Sequence, residues 1–438
     1  MAKPVTEAVT GQEELLIGLD GAAITLPELT KALRGLEENN GAEVVGVDVE
    51  SDIVQPGSHT GMLRYHLTNG ETCSLFLKKV FPKHRAMADR PWSDRRRTLA
   101  YARTETRFYQ EFAADASFAA ALARTGVRVP RLAQSDNRLE ALLGETAVHE
   151  PAGEEPPPEV LAHGGALLFL ECADGFVQAS PLDEAQAACA LRAVAALHAA
   201  AWEDAPVLER ASTRLQRHGG VYALEIRSAS ELTKIRPNWD NFMASFCDVA
   251  PELLARPGIA ALGERLELWY RYTSGQVSPS PSDRAATLVH GDFKAMNVML
   301  PGASSDADTP AMLIDFASCG VGFGMCDVAM LLAHSVAPST LAAGGQERLI
   351  DAYLDALAAN GVMGYTRDEA MRHFHLATVD YARFVVARFW GGASAEAFEK
   401  RAANPNVCLP NRNVEAALGF AERADQSLHF LEEEGRGP

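Results

Sequence analysis

One short stretch restricts this chain more than any other: His290-Gly291-Asp292-Phe293-Lys294-Ala295-Met296-Asn297, followed by Ile314-Asp315-Phe316. It sets an Asp, a Lys two residues on, an Asn five on and a second Asp at the spacing that phosphoryl transfer from a nucleotide requires. Asp292 can accept the proton of an attacking hydroxyl. Asn297 and Asp315 can hold the Mg²⁺ ions that bridge nucleotide phosphates, and Lys294 can offset charge on the moving group. Val298-Met299-Leu300 and Ala311-Met312-Leu313-Ile314 flank a turn-forming polar segment and predict a hairpin, which would bring Asn297 and Asp315 together.

Composition removes several alternatives. The chain has 438 residues, enough for two lobes or domains, with 47% apolar and 22% charged residues, as in an ordinary globular protein. A net charge of −18 argues against a nucleic-acid partner, which would need basic patches. The seven cysteines are scattered, without a Cys-x-x-Cys pair, so neither a disulfide framework nor a zinc site is expected. There is no basic leader followed by an apolar core, and no run approaches the ~18 apolar residues of a membrane span. The expectation is a cytoplasmic enzyme in a reducing compartment.

Along the chain, residues 1–42 form a polar lead-in with one helix, Leu26 to Glu38, opened by Thr25 and Pro27. Strands are expected at Glu43–Val49, Met62–Leu67 and Thr72–Val80. Between the first two, the loop carrying Gly57 and Ser58 could offer backbone N–H groups to nucleotide phosphates, or be a plain hairpin turn. The third strand ends in Lys78-Lys79. On the helix that follows, from Trp92 to Ala114, Glu105 shares the apolar stripe of Tyr101, Phe108 and Phe112, with Arg103, Arg107 and Gln110 opposite. A carboxylate on a core-facing stripe needs a cation, and Lys78 or Lys79 supplies one. Residues 134–165 read as a loop-rich insertion, with Glu150–Pro158 extended. Ala166–Leu170 is a buried strand whose exit at Glu171-Cys172 could offer backbone to an adenine ring where two lobes would hinge, or be a strand ending in a turn. A helix capped at Asp183 runs to His198 and Trp202. Past Asp327 everything reads as helix: Asp327–His334, Gln346–Asn360, Arg367–Phe389 and Val414–Glu432.

Taken in order, these motifs resemble the aminoglycoside phosphotransferase/choline kinase superfamily, and within it the ecdysteroid-kinase-like branch, over roughly residues 43–400. His-Gly-Asp, Glu105-x-x-Phe108-Tyr109 and Leu197-His198-x-x-x-Trp202 carry the resemblance. It implies an α+β, protein-kinase-like two-lobe fold: a small antiparallel N-lobe with one key helix (43–172) and a larger, mainly helical C-lobe (173–438). It implies ATP and paired Mg²⁺ ions as cofactors, with a small-molecule hydroxyl as acceptor. Asp292 would be the base, Lys294 a second catalytic group and His290 the brace of their loop. Asn297 and Asp315 would bind metal. Lys78, Glu105, Gly57, Ser58, Glu171 and Cys172 would bind nucleotide, and Asp327 would tie the catalytic loop to the helical lobe. Two positions depart from the pattern: Lys294 is more typical of protein kinases, and Ala317 replaces the Gly of Asp-Phe-Gly. His198 and the aromatic side chains Phe374, Tyr381, Phe384 and Phe389 read as core. The resemblance leaves choline-like amines, sterols, aminoglycosides and sugars all open as acceptors. A protein kinase and a nucleotide-binding pseudokinase or scaffold are the rival readings.

Overall fold

Five antiparallel strands organise the first part of the chain: β1 (Val44–Val54), β2 (His59–Leu67), β3 (Thr72–Val80), β4 (Leu132–Asn137) and β5 (Ala166–Glu171), in the order β1-β2-β3-β5-β4. The structure is a computed structural model and describes residues 14–36, 41–55, 57–82, 87, 89–143, 154–227, 229–306, 309–435 and 437–438. Two units emerge, Met1–Ala119 with Val129–Asp174, and Ala120–Arg128 with Gly175–Pro438.

In the first unit, alternation along β2 and β3 sends Leu63, Tyr65, Leu75 and Leu77 to one face of the sheet. That face is covered by helix α1 (Leu26–Arg34), whose Leu29 and Leu33 join it in one core with Leu15 and Leu16. A capping box opens α1. The Thr25 side chain accepts from Glu28 N–H, and the Glu28 carboxylate accepts from Thr25 N–H. The described part of the expected lead-in, residues 14–36, is therefore part of this unit. The apolar residues 29, 32, 33 and 36 make a helical stripe that must be buried, and the sheet is its partner. Thr30 adds a polar tie, its hydroxyl accepting from Val44 N–H at 2.9 Å.

Helix α2 (Trp92–Arg107) winds into a π-helical turn, Phe108–Ala113, rather than continuing as α-helix to Ala114. Residues 102–109 are all buried. Arg103 and Arg107, expected opposite the apolar stripe, are therefore not solvated, and Arg107 pairs with Glu140 of the short Leu139–Leu143 helix. Residues 134–165 are also less loop-rich than expected. They include most of edge strand β4 and the helices Leu139–Leu143 and Pro158–His163, while 144–153 lie outside the described residues. β4 escapes sequence reading because every one of its side chains is half-buried, which leaves no alternation to detect.

The second unit is mainly helical. Among its long helices, α3 (Glu184–Ala200), α4 (Gly324–Ser335), α5 (Gly345–Ala359), α6 (Arg367–Phe389) and α7 (Val414–Glu433) each lie within a few residues of expectation, whereas Ile235–Phe246 and Leu262–Gln276 were not expected. Every residue of α4 is buried, which makes it the unit's central helix. Two small sheets flank the motif residues. One pairs β6 (Phe176–Val177), β9 (Val298–Pro301) and β10 (Met312–Leu313); the other pairs β7 (Gln216–His218), β8 (Ala286–Val289) and β11 (Gly320–Phe323). The α+β, protein-kinase-like class is borne out, with a small antiparallel sheet and key helix in one unit and mostly helix in the other. Among the described residues, no helix is long and apolar enough to cross a membrane.

If α1 is a core element, Leu33→Ala should lower stability by about 2–5 kcal/mol, the range for a buried Leu truncation. Denaturant unfolding measures this, and a loss under about 0.5 kcal/mol would return α1 to the status of a surface appendage.

Candidate active site

In the first unit, β3 settles which lysine meets the helix. Neighbouring side chains on a strand point to opposite faces, so Lys78 and Lys79 cannot share an environment. Lys78 Nζ lies 2.7 Å from Glu105 Oε2 of α2, with the carboxylate almost fully buried. Lys79 points the other way, into the core beneath the N-terminal segment, and donates to the carbonyls of Glu14 at 2.6 Å and Ile17 at 2.8 Å. Burial pulls its amine down to about 8, against the opposing influence of Glu14 and Asp52. Gly57 and Ser58 lie in the β1–β2 connection, whose Pro56 is outside the described residues. Ser58 is buried, its carbonyl accepting from Gln55 N–H at 2.8 Å. A Cβ on Gly57 would come within 3.0 Å of Thr98 Cγ2 on α2, so the loop packs closely there. Glu171 closes β5. Its N–H donates to Arg131 O, and its carboxylate accepts from Arg131 N and Nε, both at 3.1 Å. Burial, followed by the charge of Asp174, pushes the Cys172 thiol up to about 12, so it stays uncharged.

In the second unit, β8 delivers the catalytic stretch. Gly291 has φ +79°, and a Cβ there would sit 2.0 Å from Ser318 O and 2.7 Å from Gly220 N. Only glycine fits, because the backbone is left-handed and three chain segments converge on it. The next residue, Asp292, carries a carboxylate held on one side only. Oδ2 accepts from Lys294 Nζ at 2.7 Å and from Asn297 Nδ2 at 3.1 Å. Oδ1 accepts from none of the described residues. Asn297 also donates to Asp292 O at 2.8 Å, so its amide nitrogen faces Asp292 and its oxygen is left for another partner.

The predicted hairpin forms. Leu313 pairs with Val298 and Met312 with Met299, and Ile314 N–H donates to Asn297 O at 3.0 Å. Asn297 and Asp315 are thereby held at one end of a two-stranded ladder. Asp315 adopts φ 65°, ψ 64°. That left-handed conformation costs an L-residue about 1–2 kcal/mol, less for Asp than for most. Such strain gathers where geometry matters for function. An amide oxygen and a carboxylate are the hard oxygen donors that Mg²⁺ takes, so the donor set fits that ion.

The catalytic stretch hangs on buried polar braces. Asp327, on the first turn of α4, accepts from His290 N–H at 2.7 Å and Gly291 N–H at 2.9 Å. It also meets His198 Nε2 at 3.0 Å, and His198 Nδ1 meets the Tyr353 hydroxyl at 2.8 Å. His198 is thus the hydrogen-bonded core residue its position suggested, and Asp327 the tie between loop and helix. His290 Nε2 donates to Ile314 O at 2.9 Å, and its ring packs on Phe316 with centroids 4.9 Å apart, joining the Asp292 and Asp315 segments.

A further brace was not legible in the sequence. The 219–222 turn runs beneath Gly291, with Val221 N–H donating to Gly291 O at 2.9 Å and Gly220 N–H to Ser318 O at 3.1 Å. Arg383 of α6 holds that turn through Tyr222 O at 2.8 Å, while paired with Asp380 in full burial. The sequence holds a Gly219-Gly220 pair and an Asp-x-x-Arg spacing that puts both charges on one side of an apolar helix, but neither names the other as its partner. Tyr381, next to Asp380, is raised well above the ordinary phenol range by burial, then by Cys408 and Asp292, and so remains protonated.

Residues 172–362 match the model of the ecdysteroid kinase-like family. The segment spans the catalytic stretch, Asp315 and Asp327, and over it the resemblance read from the motifs is borne out. No curated protein matches the chain in sequence. Among solved structures it is similar to an amicoumacin kinase in complex with AMP-PNP and Ca²⁺, with 11% identity, 87% of this chain and 91% of that one covered, and a TM-score of 0.42. It is also similar to an aminoglycoside phosphotransferase from Streptomyces rimosus, with 17% identity, 82% and 98% covered, and a TM-score of 0.31. For a choline kinase from Streptococcus pneumoniae the values are 12%, 91% and 98%, and 0.33.

Two substitutions check this geometry. Gly291→Ala should disrupt the loop and cut turnover at least ~10²-fold, since about 3 kcal/mol of strain and displaced geometry is a factor of that size. Wild-type turnover in that variant would contradict the close approach. Lys79 tests the strand alternation through pH. Burial lowers its pKa in the folded chain to about 8, below the ordinary lysine range of about 10.4, so between these values the unfolded chain binds more protons and stability rises with pH. Lys79→Met should abolish that rise and leave nucleotide affinity unchanged, whereas Lys78→Met should weaken nucleotide binding. Urea unfolding at pH 7.5 to 10.5 and nucleotide titration read out the two effects.

Proposed function

We propose that the protein is an ATP- and Mg²⁺-dependent phosphotransferase that moves the γ-phosphate of ATP to a hydroxyl of a small molecule. The observation that carries this reading is the one-sided hold on Asp292, whose Oδ2 is fixed by Lys294 and Asn297 while Oδ1 is left to meet a hydroxyl proton. A base must be both oriented and accessible, and this arrangement provides both. The ecdysteroid kinase-like match supports a small hydroxylated molecule as acceptor. All seven cysteines are free thiols, in keeping with a reducing, cytoplasmic setting.

In this mechanism Asp292 Oδ1 takes the hydroxyl proton as the acceptor oxygen bonds to the γ-phosphorus and ADP departs with the electrons of the broken P–O bond. Lys294 keeps the carboxylate oriented and adds positive charge beside the transferred group. Asn297 Oδ1 and the Asp315 carboxylate are the residues that would hold Mg²⁺, which when bound offsets negative charge on the phosphate oxygens. Lys78, aimed by Glu105, would bind the non-transferred phosphates, and the backbone at Glu171 and Cys172 the adenine. The protein thus acts by positioning and preorganised charge, without a covalent intermediate.

The test is ADP release from Mg-ATP across pools of hydroxylated amines, sterols, sugars and antibiotics, with Asp292→Asn as the blank. One pool should stimulate release, and Asp292→Asn should lower kcat by ~10²–10⁴ with ATP binding retained. Equal turnover in the variant would remove Asp292 as base. Failure of the wild type to bind Mg-ATP would remove the kinase reading altogether.

A further inference from the structure

We infer that Ser335, backed by His334, is a positioning residue for phosphoryl transfer, fixing the Lys294–Ala295 end of the catalytic stretch as Asp327 fixes the His290–Gly291 end. The inference rests on the phosphotransferase reading for its functional consequence, but its geometry stands independently. Ser335 is the last residue of α4 and fully buried, and its Oγ accepts from Ala295 N–H at 2.9 Å. Asp327 sits eight residues earlier on the same helix, about 12 Å along the axis. One buried helix therefore holds the catalytic stretch at two points a fixed distance apart. The stretch between them carries Asp292 and Lys294.

A neutral ring backs the second hold. His334 Nδ1 lies 3.0 Å from Ser335 Oγ. Burial, and then the charges of Lys294 and Arg412, hold this imidazole well below its ordinary range, so the ring is neutral. A neutral Nδ1 can accept the hydroxyl proton of Ser335, which leaves the oxygen's lone pairs to Ala295 N–H. With the ring proton on Nε2, the chain of donation runs Ala295 N–H to Ser335 Oγ–H to His334 Nδ1. The end of α4 is itself anchored, since Ser335 O accepts from Leu182 N–H at 2.8 Å and Ala337 N–H donates to Leu182 O at 3.0 Å. Ser335 thus acts on the reaction through Ala295 and, one residue away, through Lys294, whose ammonium holds Asp292 Oδ2.

The experiment combines hydrogen–deuterium exchange with kinetics on the full chain. Exchange is followed by mass spectrometry in a peptide covering 290–299, and kinetics by ADP release from Mg-ATP with water as acceptor. Ser335→Ala should speed exchange in that peptide about tenfold with peptides elsewhere unchanged. It should also lower kcat about tenfold while KM for ATP stays within about twofold, the pattern of a lost positioning contact. Ser335→Cys, of similar shape but a weaker acceptor, should fall between wild type and Ser335→Ala in both readings. Wild-type exchange and kcat in Ser335→Ala would overturn the inference, and so would exchange raised uniformly along the chain. Should Ser335→Ala not fold, the same two readings on Ser335→Cys decide: local acceleration supports the inference and wild-type exchange overturns it. A wild type that binds no Mg-ATP would sink the phosphotransferase reading, while the exchange data would still decide whether Ser335 holds the stretch.

Discussion

The carboxylate of Asp327 is the constraint on which the second unit depends. It is buried and receives three donors, two from the backbone of the catalytic stretch and one from His198. Backbone N–H groups deprived of water must find acceptors, and a left-handed glycine in a convergence of three segments has no regular ladder to supply them. A carboxylate from the central helix does so instead. Because α4 is buried along its whole length, the position of Asp327 is set by packing on every side. Precision made in the core is passed to the partly exposed carboxylate of Asp292, the residue next to Gly291.

Orienting and reacting make opposite demands on the burial of a carboxylate. Glu105 and Asp327 are almost fully buried and fully engaged, whereas Asp292 and Asp315 keep part of their surface accessible. The first pair suits an orienting role, and in the proposed mechanism the second would react or bind. Burying a carboxylate costs free energy unless donors or a cation surround it, and each buried member has that surrounding. This division separates the roles of chemically identical side chains without reference to any relative.

Much of this was legible in the sequence, and the reasons are local. Thr72–Val80, Arg367–Phe389 and the 298–314 hairpin follow from periodicity and turn residues close to them in the chain. The stripe position of Glu105 anticipated its ion pair, because an apolar helix face with one charge asks for one cation. What stayed hidden depends on partners distant in sequence. Nothing near Arg383 points to Tyr222, and nothing near Ser335 points to Ala295. Edge strand β4 and the burial of Arg103 and Arg107 were missed for the same reason: each follows from a covering element that no local pattern specifies.

The paired lysines of β3 carry one more consequence. A strand displaced by a single position against its neighbours exchanges its two faces. Such a slip would turn Lys78 into the core beneath the N-terminal segment and offer Lys79 to Glu105, yet it would also turn Leu75 and Leu77 out of the hydrophobic cluster they share with α1. The lysines alone tolerate the mistake, being chemically identical, and the leucines do not. The register of the strand, and with it the identity of the lysine that meets the buried glutamate, is therefore decided by side chains that never touch either charge.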